Sequence, residues 1–112
     1  MEMKLWEIAE EELRELTPRK ARELIVECFF HSQRETYQLR GQQPPPDEEL
    51  RERAQAVLRL AFREIGGSYE EPTVEDLYRA VEALCKKAHA WGTPPEILEH
   101  HRAQVLKVLR RF

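Results

Sequence analysis

The placement of proline and glycine constrains this chain more than any other feature. Thr17-Pro18 reads as a helix N-cap followed by proline at the first helical position, where the missing N–H is not needed. Gly41 stands where such a helix would end in the left-handed conformation. Gln42 to Pro46 cannot continue it, because consecutive prolines force the residues before them into extended backbone, and Asp47 then offers a new N-cap. Gly66-Gly67 closes the next segment, and Thr73 with Asp76 has the spacing of a capping box with Asp in the acidic position. Gly92 ends a further segment, and Thr93, Pro94 and Glu96 repeat the restart signal as N-cap, first helical residue and capping acid.

Between these breaks, apolar residues recur at helical spacing, and nowhere does a period-two alternation persist. The expectation is an all-α fold: one domain over residues 1–112, a compact bundle of about five helices at approximately 3–16, 18–40, 48–65, 74–91 and 94–111. The first rests on Leu5, Ile8, Ala9, Leu13 and Leu16. The breaks are turns rather than domain boundaries, since each helix still needs a partner for its apolar face.

The segment 18–40 differs from the others. Ala21, Leu24, Ile25, Cys28, Phe29, Ser32 and Leu39 form one apolar face, while Val26, Phe30 and Tyr37 lie well round the helix and form a second. A helix apolar on two sides either sits at the centre of a bundle or shows one side to another subunit. The central position is expected for this helix, and the alternative is a homodimer whose interface is Val26, Phe30 and Tyr37. The other helices show one face each. Leu50, Ala54, Val57, Leu58, Ala61, Phe62 and Ile65 line the third, and Val74, Leu77, Val81, Leu84, Ala88 and Trp91 the fourth. Leu98, Val105, Val108, Leu109 and Phe112 span a broad arc on the fifth.

Composition narrows the functional classes. Hydrophobic residues at 41% and charged residues at 35% suit a folded chain with a solvated exterior. A formal net charge of -3 gives no bulk attraction to nucleic acid or to an anionic membrane. No apolar run is long enough to span a bilayer, and Met1 to Glu15 is acidic and interrupted, unlike a signal peptide, so a cytoplasmic location is expected. Cys28 and Cys85 lie far apart within apolar helical patterns, which suits reduced core thiols better than a disulfide framework.

Few residue patterns point to chemistry. Cys28 with His31 and Cys85 with His89 pair thiol and imidazole one helical turn apart, the ligand types of a tetrahedral zinc site. Cys85 and His89, beside Lys86 and Lys87, are also the nearest approach to an activated thiol, although a mid-helix cysteine lacks the helix N-terminal dipole. Glu27, His31 and Glu35 form a ladder at four-residue spacing, read as local pairing on a polar flank. No histidine follows a glutamate by three residues, which excludes the di-iron carboxylate pattern. Glu11-Glu12-Leu13-Arg14-Glu15 resembles half of the carboxylate pattern of MazG-type pyrophosphohydrolases, but no Glu-x-x-Asp supplies the other half, so nothing would hold Mg²⁺. Gly66-Gly67 follows a helix rather than opening one after a strand, so it cradles no phosphate. His101 falls on the apolar arc of the fifth helix: a core histidine with a hydrogen-bond partner, or a group in a pocket near Trp91, Tyr78 or Tyr69.

The reading that follows is a non-enzymatic helical interaction module that self-associates and carries no cofactor. An alternative is a DNA-binding helix-turn-helix built from the fourth and fifth helices, displaying Arg102, Gln104, Lys107, Arg110 and Arg111. Against it, the N-terminal part of the fifth helix carries Glu96 and Glu99, which repel phosphates. A metal or thiol site at Cys28, His31, Cys85 and His89 is the third reading.

Overall fold

The computed structural model describes residues 14–112. Among these residues the chain is all-helical, with four helices: α1 (Pro18–Leu39), α2 (Asp47–Ile65), α3 (Val74–Ala90) and α4 (Pro95–Leu109). The helix expected at 3–16 lies almost wholly outside the described residues. No described helix is long and apolar enough to cross a membrane.

Local chemistry explains where the helices begin and end. Thr17 Oγ1 accepts from the Lys20 amide at 3.2 Å, and Pro18 takes the first helical position. At α3 the capping box is complete: Thr73 Oγ1 accepts from the Asp76 amide at 3.1 Å, and the Asp76 carboxylate faces the Thr73 amide at 3.5 Å. The first three helices close alike, with a glycine at positive φ (Gly41, +68; Gly66, +73; Gly92, +94). At the first, Gly41 N–H donates to Gln38 O at 3.0 Å and Gln42 N–H to Tyr37 O at 2.9 Å, the two bonds of a Schellman motif.

Two expected caps are displaced by one residue. Pro46 occupies the N-cap of α2, at φ -53 and ψ 147, which leaves Asp47 as the first helical residue with no side-chain cap bond. Its carboxylate still favours the start of α2 through the helix dipole, and lies 3.7 Å from Arg34 Nη1. Likewise Pro94 is the N-cap of α4 and Pro95 its first residue. Thr93 does not cap: it is buried, and its hydroxyl oxygen accepts from Gln33 Nε2 of α1 at 3.2 Å. In both places extended proline backbone takes over the cap position, and the displaced side chain finds a tertiary partner.

The helices form a ring in which α1 packs on α2, α2 on α3, α3 on α4 and α4 on α1, with α1 and α3 also meeting across the middle. The core is built on the rings of Phe30 and Phe62 with Ile25, Leu58, Leu77 and Leu109. Ala21, Ala54, Ala61, Ala80 and Ala88 are fully buried, small side chains that let neighbouring backbones approach. The loop between α2 and α3 is pinned by Tyr69. Its ring stands edge-on to Phe62 at 5.7 Å, and the guanidinium groups of Arg22 and Arg59 lie over it at 4.4 and 4.1 Å. Arg22 also donates to the Tyr69 carbonyl.

The second apolar side of α1 is consumed within the chain. Phe30 is 0% exposed and lies under Arg51 of α2, whose guanidinium is 4.4 Å from the ring centroid. Val26 is buried, and Tyr37 is half-buried with its hydroxyl 3.4 Å from Arg53 Nη1 of α2. The side expected to form an interface is thus largely buried within the chain, with Phe30 and Tyr37 against Arg51 and Arg53 of α2. Among the described helices, α1 packs on all three others, and α3 does the same.

Three mutational outcomes follow. Leu58→Ala should lower unfolding stability by about 2–5 kcal/mol in urea titrations, because the site is fully enclosed, and Thr73→Ala by about 1 kcal/mol. Phe30→Asp should abolish the cooperative thermal transition altogether, whereas a surface position would have left a folded protein.

Candidate functional site

Where α1, α3 and α4 meet, their side chains leave a cleft of about 30 Å³, lined by apolar residues and by Cys28, Cys85 and His101. That volume holds about one water, far below the roughly 300 Å³ at which small-molecule pockets begin. Cys28 is on the face of α1 turned from α2, and Ser32 continues that face one turn on, its hydroxyl bonded back to the Phe29 carbonyl at 2.7 Å. Cys85 comes from α3 and is half-buried. His101 comes from α4 and is 7% exposed.

His101 joins α4 to α1. Its Nδ1 is 3.3 Å from Cys28 Sγ, and the same sulfur lies 3.5 Å from the His101 carbonyl oxygen. One thiol proton cannot reach both acceptors: it goes to Nδ1 when the ring proton is on Nε2, and to the carbonyl when it is on Nδ1. On the other side of the ring, Glu35 Oε2 of α1 is 3.3 Å from the buried Nε2, an electrostatic contact without a well-formed hydrogen bond.

Burial governs the charge state of all three groups. It raises the Cys28 thiol far above its ordinary range, with further contributions from Cys85 and Glu35. Cys85 is pushed up to about 11, chiefly by burial and then by Glu82, against a lowering by Arg102. His101 moves down, because burial outweighs the opposing pull of Glu35, and the nearby His100 and His31 push the same way as burial. An activated thiol-imidazole couple needs the reverse, a depressed thiol and a raised imidazole. Cys28 and His101 are therefore a neutral pair at neutral pH.

Of the four residues expected to share a metal or thiol site, the structure brings Cys28 and Cys85 to one cleft and leaves His31 and His89 outside its lining. His89 is exposed, and the His31 ring lies 4.9 Å from that of Phe30. Among the described residues, no group of three or more His, Cys, Asp or Glu side chains is placed to hold a metal ion. The Glu27, His31, Glu35 ladder is also dispersed: Glu27 Oε1 accepts from Arg51 Nε of α2 at 2.9 Å, while Glu35 faces His101. The thiol partner missing from the helical spacing was His101, 73 residues from Cys28 in sequence. Its position on the apolar arc of the last helix was the available signal. It is a core histidine, and its polar neighbours are Cys28 and Glu35.

On the face of the alternative helix-turn-helix, Arg102 is already engaged. Its Nε donates to Glu82 Oε1 of α3 at 2.8 Å, at the rim of the cleft. Lys107 lies in the last turn of α4, where it complements the helix dipole, and Glu96 in the first. No protein-family profile, curated protein or solved structure matches the chain.

Three apolar residues expected on buried faces stand instead in solvent: Leu39 at 68% exposure, Trp91 at 57% and Phe112 at 46%. All lie at the last residue of a helix or just beyond it, where the periodicity continues but no neighbouring helix does. Leu39 and Trp91 share one end of the bundle. Arg40, next to Leu39, donates from Nη2 to the carbonyl of Gly92, next to Trp91, at 2.6 Å.

The shifts in the cleft set a pH profile for folding. Unfolded His101 takes up a proton as pH falls through its ordinary 6.5 while the folded form resists, so its contribution is present above 6.5 and lost below. Unfolded Cys28 and Cys85 ionise near 9.0 while the folded thiols stay protonated, so theirs is present below 9.0 and lost as pH rises above it. Urea midpoints measured against pH should show His101→Gln flattening the acid side and Cys85→Ser part of the alkaline side. Unchanged limbs in these variants would contradict the assignment.

Proposed function

We propose that this chain is a non-enzymatic helical interaction module that pairs with a second copy of itself through the end of the bundle where Leu39 and Trp91 stand. The observation that carries the reading is the exposure of these two side chains, 68% and 57%, on either side of the Arg40–Gly92 hydrogen bond. Large apolar side chains exposed at one end of a bundle mark association surfaces, and tryptophan is foremost among the residues that dominate binding energy. Arg40, anchored to Gly92, holds the helix end and the α3–α4 turn in one arrangement, so a partner would meet a surface already formed. The cleft supports no competing enzymatic reading, since it has room for about one water and holds a neutral thiol and imidazole. A formal net charge of -3 sets little repulsion against pairing of identical copies.

In a two-fold pair the same patch meets itself, so each substitution acts twice. The mass in sedimentation equilibrium should rise with concentration from 13.3 kDa toward twice that value. Trp91→Ala with Leu39→Ser should weaken association by roughly 30-fold or more. Leu60→Ser, at a 43% exposed position on α2, should leave it unchanged. A 13.3 kDa mass at every concentration, or dissociation by Leu60→Ser alone, would overturn the reading.

A further inference from the structure

We propose that Cys28 and Cys85 are a redox pair, oxidised by peroxide to an intramolecular disulfide that ties α1 to α3. Both thiols are free, on different helices, and both line the one small cleft. α1 and α3 also pack on each other across the centre of the ring, so a bond between the two sulfurs would join elements already in contact. The two thiols are also close enough that charge on Cys85 acts on Cys28.

The cysteines divide the chemistry by accessibility. Cys85 is half-buried and open to a small oxidant, whereas Cys28 is 4% exposed and lines the cleft. Cys85 as thiolate attacks one oxygen of hydrogen peroxide. The S–O bond forms, the O–O bond breaks, and hydroxide leaves to become water, giving a sulfenic acid. The Cys28 sulfur then attacks the Cys85 sulfur, so that the S–S bond forms and the S–O bond breaks. The Cys28 proton passes to His101 Nδ1, 3.3 Å away, and from there to the departing hydroxide, which leaves as water. Two thiols lose two electrons and two protons, and one peroxide becomes two waters. A neutral imidazole is the form able to take that proton, which gives the buried thiol a route to react that desolvation otherwise closes.

Because the Cys85 thiol ionises only near 11, the first step should be slow at neutral pH and accelerate about tenfold per pH unit toward that value. The test is intact-mass analysis of the full chain after hydrogen peroxide treatment, followed by peptide mapping without reduction. The expected product is about 2 Da lighter, carries a cross-link between the Cys28 and Cys85 peptides, and melts at a higher temperature than the reduced protein. Cys85→Ser, a change at a half-buried position, should abolish the mass loss, and His101→Gln should slow closure after the sulfenic acid has formed. A product about 16 or 32 Da heavier with no cross-link, or a disulfide between two chains, would show that the sulfurs cannot meet and would overturn the proposal.

Discussion

Helix α1 cannot hold either of its apolar sides in water, and the bundle is arranged around that constraint. Phe30 requires a partner on one side, and Ile25, Cys28 and Phe29 require partners on another, so a single neighbouring helix would leave one of them exposed. The chain meets both needs by passing α2 over the Phe30 side and folding α3 and α4 back against the other. Burying a phenylalanine or isoleucine contributes about 1.5–3 kcal/mol each, which makes the two-sided helix the largest single claim on the topology. The pairs Arg51–Glu27 and Arg53–Tyr37 lie along the α1–α2 seam, and being solvent-exposed they set register more than stability.

The cleft on the other side of α1 illustrates how a polar group is kept in a small core. The Cys28 thiol and His101 Nδ1 can meet without either group being charged, which avoids the desolvation cost of an ion pair. Glu35 approaches the ring from outside the cleft, yet burial of the imidazole remains the stronger influence on its proton. The same neutrality that makes the pair a good packing element makes it a poor nucleophilic couple. For that reason the chemistry we propose for this cleft starts from an external oxidant at Cys85 rather than from an activated thiol.

The exposed apolar residues at the helix ends follow from how the helices stop. A helical periodicity carries apolar residues to the final turn, but coverage requires a neighbour extending equally far. Leu39 and Trp91 lie at the ends of α1 and α3, beside the turn leading into α4, and no described helix continues over them. The surface we propose for association thus lies at the end of α1 rather than its middle, beside the Arg40–Gly92 bond.

The all-α class, the helix limits and most buried positions are determined by local chemistry, and so were legible in the sequence. Thr17, Thr73 and the glycines at 41, 66 and 92 act on backbone groups within a few residues of themselves, and their effect does not depend on the rest of the fold. Where a cap competed with proline backbone, at Asp47 and Thr93, the outcome turned on a single residue and on tertiary partners, Arg34 and Gln33. Which helix covers Phe30, that Cys28 meets His101 rather than His31, and that Trp91 is left outside were decided only by the tertiary structure. Helical spacing specifies the direction of each side chain around its own axis, while the identity of what lies in that direction depends on how separate helices pack.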